Sequence, residues 1–258
     1  MALKTESEKA FERYLDTLNV KWSPVAPSAQ KQPDYKIEHR SGICLFEVKE
    51  FDEPAIKPTG GFSPCPPIRK KIRKAAEKFK QHRDDCCSLV LWNSNFHRSV
   101  QPEAVLSAAF GDYVRQADSA FGAEPSRYRC SGRAELRPDC NTTFSAIAIL
   151  APYQLNQLWL DVWKRLDAMR QQGHEIKISD QFELLNQLSP EGGTSYSYQG
   201  TIRTIVLENP YARIAFPPEL FAGPFDQRWR MQSGWFRLVF IGSELERLKN
   251  NGVPFIYL

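Results

Sequence analysis

Two acids and an amine stand close together in the stretch QKQPDYKIEHRSGICLFEVKEFD: Asp34, Glu47 and Lys49. Such a set suits divalent-metal hydrolysis of a phosphodiester. That reaction needs a cation to offset charge growing on the phosphoryl group and to lower the pKa of an attacking water. Mg²⁺ takes oxygen ligands, and one or two carboxylates plus water and substrate phosphate suffice; Mn²⁺ can substitute. Asp34 and Glu47 meet that need, and the backbone carbonyl of Val48 can add a further ligand. Lys49 is placed to orient or help deprotonate the water, or to stabilise developing charge. Glu8, or failing it Glu12, could complete a second-metal or outer position.

The elements that must hold these groups are two strands. The runs YKIEH and ICLFEVKEF flank an Arg-Ser-Gly turn, a hairpin pattern. Period-2 alternation puts Leu45, Glu47 and Lys49 on one face and Phe46 and Val48 on the other. Apolar residues on both faces predict a central strand covered on both sides. There an unpaired glutamate or lysine costs several kcal/mol, a cost removed by an opening to water or a bound cation.

Before the hairpin, residues 5–18 read as an amphipathic helix with Phe11, Tyr14, Leu15 and Leu18 on one face. Thr5 and Glu8 form a capping-box pattern, and a short extra strand is expected near Val20. After the hairpin, the Pro- and Gly-rich loop 52–67 is a candidate gate for the site. A helix follows over 68–82, with Ile68, Ile72, Ala75, Ala76 and Phe79 as its buried stripe. Its other face carries Arg69, Lys70, Lys71, Arg73, Lys74, Lys78 and Lys80, opposed only by Glu77. A face of one sign beside a carboxylate pair suits phosphate contacts, with Arg69, Lys70, Arg73 and Lys74 as the candidates; the alternative is a solvated face. SLVLWN at 88–93 reads as a buried strand.

Helix, acid after proline, Glu-Val-Lys on a strand, basic helix and strand together resemble the PD-(D/E)xK nuclease superfamily over residues 6–93. The resemblance implies a restriction-endonuclease-like αβββαβ core with a central mixed sheet, part of an α/β chain. It implies that Asp34 and Glu47 bind Mg²⁺ and that Lys49 is the catalytic lysine. It also implies that Glu8, or failing it Glu12, is the first-helix acid. Gln81 lies near the end of its helix, so it is not equated with the helical glutamine of some branches.

The later chain is expected to form a C-terminal α+β extension, about 101–258, on a catalytic core of about 1–100, the two making a single domain. Residues 102–117 read as helical, 121–142 as irregular, 143–150 as a strand, 154–173 as an amphipathic helix and 201–207 as a strand. The tryptophans of that later helix read as core. The aromatic, proline-rich tail from 209 reads as a lid, an arm or a wrap over the core.

The chain has 258 residues, 42% of them hydrophobic and 25% charged, and a formal charge of +4, so the distribution of charge matters more than its total. The N-terminus is charged and shows no signal-peptide pattern, and no run is long enough to span a membrane. The six cysteines match no zinc spacing and are expected as free thiols in the cytoplasm. No P-loop or G-x-G-x-x-G occurs, and four scattered histidines give no nucleophile–base pattern. The sequence thus points to a metal-dependent nuclease acting on DNA, with a homodimer open to it and no membrane partner. Its rivals are a catalytically inactive nucleic-acid-binding protein on a nuclease-like scaffold, and a protein-interaction module.

Overall fold

The computed structural model describes residues 4–26, 28, 31–51, 65–93, 102–116, 127–131, 134–153, 157–174, 180, 183–184, 187 and 201–250. Residues 52–64 of the loop expected to gate the site lie outside them.

The first elements run α1 (Glu6–Thr17), β1 (Trp22–Pro24), β2 (Tyr35–His39), β3 (Gly42–Glu50), α2 (Cys65–Phe79) and β4 (Cys86–Trp92). Strands β1, β2 and β3 form an antiparallel meander, and β4 pairs with β3 in parallel through the α2 crossover. The order helix, three strands, helix, strand is the one expected, with β1 as the short extra strand. The later elements are α3 (Pro102–Phe110), β5 (Asp112–Gln116), β6 (Arg127–Ser131), β7 (Phe144–Pro152), α4 (Gln157–Gln171), β8 (Ile202–Glu208), β9 (Gln227–Gln232), β10 (Trp235–Ile241) and α5 (Ser243–Asn250). Among the described residues, ten strands join one mixed sheet in the order β1-β2-β3-β4-β7-β8-β9-β10-β6-β5. The fold is α/β, and the later strands extend the same sheet that carries β2 and β3.

Strand β3 is central, with β2 on one edge and β4 on the other, so both its faces need cover. Helix α1 starts at a Thr5–Glu8 capping box and buries Ala10, Phe11, Tyr14 and Leu15 against Phe46, Val48 and Val90 on one face of the sheet. The Phe11 and Phe46 ring centroids are 5.5 Å apart. Helix α2 buries Ile68, Ile72, Ala75, Ala76 and Phe79, the predicted stripe, in the second core, with Leu45, Leu89, Leu91, Ile147 and α3. The two helices cover opposite faces, and Glu47 and Lys49, alternating with Leu45, belong to the α2 face.

Several sequence expectations need correction. The helix expected over 102–117 stops at Phe110 because Gly111 takes a left-handed φ of 94°, and β5 follows. The stretch 121–142, read as irregular, contains β6, paired with β5 and, at Tyr128, with Phe236 of β10. The tail from 209 is a wrap over the core, one of its three expected forms, with Phe216, Leu220 and Phe221 buried, but it also carries strands: β9 and β10 form a two-residue hairpin at Ser233 and Gly234, whose φ values of 51° and 78° suit a primed turn. Helix α2 spans Cys65–Phe79 rather than 68–82, with both prolines in its first turn, where they cost no internal hydrogen bond. In α4, Val162 and Leu166 are buried as expected; the Trp159 and Trp163 side chains are not among those described.

Candidate active site

Asp34 is fixed at the mouth of the β2–β3 ladder. Its N–H donates to the Phe46 carbonyl at 2.9 Å and its carbonyl accepts from Val25 N–H at 3.1 Å. Just before β2 begins, the Asp34 carboxylate replaces the missing backbone acceptor: Oδ2 takes the Val48 N–H at 2.8 Å. Strand pairing and this side-chain bond together aim the second oxygen, Oδ1, towards Glu47.

The segment before Asp34 is tied to the end of α2. Lys31 Nζ lies 2.6 Å from Glu77 Oε2, and Gln81 donates to the Lys31 carbonyl at 3.3 Å. His82 Nε2 is 3.2 Å from Gln32 Oε1. Gln81 therefore braces the approach to the site instead of entering it.

Glu47 has a side chain 0% exposed, while those of Asp34, Lys49 and Lys78 are 21%, 30% and 21% exposed. The carboxylate sits at the bottom of an acidic pair whose rim is wet. Lys49 Nζ is 2.5 Å from Glu47 Oε1 and 3.7 Å from Asp34 Oδ2. The contact with Oε1 is a close ion pair whose angle departs from ideal hydrogen-bond geometry. The aligned donor to Glu47 is Lys78 of α2, whose Nζ donates to Glu47 Oε2 at 2.6 Å and to Asp34 Oδ1 at 3.2 Å.

Burial pushes the Glu47 carboxyl above the usual glutamate range, with the Asp34 charge adding to the effect and the two lysines opposing it. For Lys78, burial pulls downward but loses to the hydrogen bond and charge of Glu47 and the charge of Asp34, so its net shift is upward. The lysine gains from the pair, and the carboxylate still carries an uncompensated desolvation cost.

The sequence placed Lys78 on the basic outer face of its helix, a phosphate-contact or solvated face, and the structure turns it to the site carboxylates instead. Arg69 likewise donates to the Ser107 carbonyl at 3.3 Å. Arg73 is held by Glu135 in a two-pronged pair at 3.0 and 2.7 Å. Lys70 and Lys74 are exposed. Of the four expected phosphate contacts, two thus have partners within the chain and two face solvent.

Neither helix acid reaches the site carboxylates. Glu8 Oε2 accepts from Thr5 N–H at 2.6 Å and from its hydroxyl at 2.9 Å, closing the capping box. Glu12 accepts from Tyr35 O–H at 2.8 Å and pairs with Lys4 at 2.7 Å. Both lie on α1, across the sheet from the Glu47 side chain, where Glu8 serves the helix end and Glu12 serves Tyr35.

Among the described residues no three His, Cys, Asp or Glu side chains group as a metal cluster. Asp34 and Glu47 form a pair of acids instead. The pair fits one hard cation: Oδ1 and Oε2 converge on a single point already holding a positive nitrogen, and Oε1 remains without a hydrogen bond. Waters and a substrate phosphate would complete a Mg²⁺ shell. Cys44, Cys65, Cys86, Cys87 and Cys140 are free thiols, as expected, and none belongs to this site; the Cys130 side chain is not among those described.

A second polar centre lies under α1. Asp226 accepts from Tyr14 O–H, Thr204 N–H and Gly223 N–H at 2.6, 2.7 and 2.6 Å. Its carboxylate is saturated with donors that join α1, β8 and the turn before β9, so it serves the fold. Among the described residues no helix is long and apolar enough to cross a membrane. Comparison with protein-family models, curated proteins and solved structures gave no significant match.

Proposed function

We propose that the chain is a divalent-metal-dependent nuclease of the PD-(D/E)xK type, hydrolysing phosphodiester bonds in DNA in a cytoplasmic setting. On this reading α1-β1-β2-β3-α2-β4 is a restriction-endonuclease-like core. The observation that carries it is the convergence of the Asp34 and Glu47 carboxylates on one cation-holding point beside Lys49.

Asp34 and Glu47 would hold Mg²⁺ or Mn²⁺, with the Val48 carbonyl as a further oxygen. When bound, the cation supplies charge compensation on the phosphoryl group and acidifies water. Asp34 keeps its carboxylate oriented through the Val48 N–H. Lys49, on the same face as Glu47 and partly exposed, orients the attacking water and offers charge to the developing oxyanion. Lys70 and Lys74 offer phosphate contacts on the outer face of α2.

The test is incubation of labelled single-stranded, duplex and branched DNA, and of RNA, with Mg²⁺, Mn²⁺ or EDTA. Cleavage by the wild type that is lost in EDTA and in Asp34→Ala, Glu47→Ala and Lys49→Ala is expected. Full activity in Glu47→Ala or in EDTA sinks the reading. A second reading is favoured by one observation: two ammonium groups already neutralise the two carboxylates. It is a non-cleaving nucleic-acid-binding scaffold, and salt-dependent binding without any metal-dependent product would select it.

A further inference from the structure

Lys78 occupies the point on which the site acids converge. Its Nζ is 2.6 Å from Glu47 Oε2 and 3.2 Å from Asp34 Oδ1. A divalent cation bound to those same two oxygens would sit at about 2.1 Å from each. The two positions overlap, and two positive centres that close repel in a partly dry site. Ammonium and metal are therefore alternative occupants.

Why a lysine should stand there follows from Glu47. Its side chain is fully buried, and a buried carboxylate left without a counter-charge is strongly destabilising. Lys49 is close but not aligned to donate to Oε1. Without Lys78 the buried carboxylate would rest on Lys49 alone whenever no metal was bound. Lys78 reaches it from the flank of α2, with a side chain 21% exposed, so the flexible stem can carry the ammonium outward while the helix stays in place.

We propose that Lys78 is a tethered counter-ion that competes with the divalent cation for Asp34 and Glu47, and so sets the metal affinity of the site. The inference rests on the metal-site reading given above. It makes Lys78 a positioning residue for the acids in the metal-free protein and a gatekeeper for the cation. An anionic phosphodiester at the rim would attract the displaced ammonium, so metal and nucleic acid should bind with positive coupling.

Titration of Mn²⁺ followed by electron paramagnetic resonance of the free ion tests this, using wild type, Lys78→Met, Lys78→Gln and Glu47→Gln. Melting temperature is recorded with and without Mn²⁺. Lys78→Met is expected to bind Mn²⁺ about 10-fold or more tightly than wild type, a coupling of ordinary size, and to gain more melting temperature from the ion. A non-cleavable phosphorothioate duplex should tighten Mn²⁺ binding in wild type and less so in Lys78→Met. Lys78→Gln, which keeps a neutral donor to Glu47, guards against a folding defect and should show the same order. Unchanged or weaker Mn²⁺ binding in both Lys78 variants, with binding abolished in Glu47→Gln, overturns the competition and leaves the metal site standing. Absence of Mn²⁺ binding in wild type and both Lys78 variants overturns the metal reading and the competition together.

Discussion

Lys78→Met is the sharpest probe of how the site is held together. It removes the Oε2 donor of Glu47, a side chain 0% exposed, and leaves Lys49 at 2.5 Å from the other oxygen. An unsatisfied buried charged group costs several kcal/mol. Lys49 supplies part of the missing charge, so we expect a loss of about 2–3 kcal/mol at pH 7. In a chain of this size that is a fall of roughly 5–10 °C in melting temperature. Glu47→Gln should behave oppositely. Burial raises the Glu47 pKa, so its ionised form is the one that strains the fold, and the neutral amide should match or exceed wild-type stability while losing function. The double variant should recover about 1–3 kcal/mol relative to Lys78→Met, the coupling of a touching pair.

The sign of the pH dependence follows from the same shift. A carboxyl with a raised folded pKa binds its proton more tightly when folded, so its contribution is full below the ordinary value of 4.5 and is lost as pH rises through the folded value. Removing Lys78 raises that value further, and the deficit of Lys78→Met should therefore grow as pH climbs above about 4.5. Urea denaturation of the four proteins between pH 4 and 8 measures this. A deficit under about 0.5 kcal/mol at pH 7, or one that shrinks with rising pH, refutes the picture of a buried ionised Glu47 held by Lys78.

Three further outcomes follow from other parts of the fold. Asp226→Ala strands the three donors from Tyr14, Thr204 and Gly223 and should cost about 3 kcal/mol or more by chemical denaturation. Gly242→Ala sets a methyl against the Gly223 and Pro224 carbonyls. Backbone cannot yield there as a side chain would, so a loss of about 3 kcal/mol is expected in the same assay. If α2 meets nucleic acid, Lys70→Ala and Lys74→Ala should each lower the salt slope of binding by about one unit. Arg73→Ala, already neutralised by Glu135, should lower it by less.

Much of the site was legible because its determinants are local. Alternation put Glu47 and Lys49 on one face of a strand, and apolar residues on both faces required two covering helices, which α1 and α2 supply. The apolar stripe of α2 was readable to the residue. What was not legible depends on partners distant in sequence. Strand β6 pairs along its length with β5, which the sequence read as the end of a helix, and at Tyr128 with Phe236, more than a hundred residues away, so no pattern within 121–142 announces it. The hairpin of β9 and β10 carried a local Ser-Gly signal inside a tail dominated by prolines and aromatics, which read as a lid, an arm or a wrap over the core.

Lys78 is the instructive omission, since a signal for it was present. At about 100° per residue, Lys71 and Lys78 lie roughly 80–100° from the centre of the buried stripe of α2, on the same flank, whereas Lys70 and Lys74 lie roughly 140–180° away. A lysine at the flank of a stripe buries its stem and sends its head to whatever acceptor the neighbouring element offers. Lys71 finds the Glu50 carbonyl and Lys78 finds Glu47 and Asp34. Arg69, on the opposite flank, finds the Ser107 carbonyl of α3. The single sign of the helix face concealed two populations: outward lysines free to meet a polyanion, and flank residues recruited by the sheet and by α3. A buried acid on β3 demanded a counter-charge, and the flank of the covering helix was the nearest place the chain could supply one.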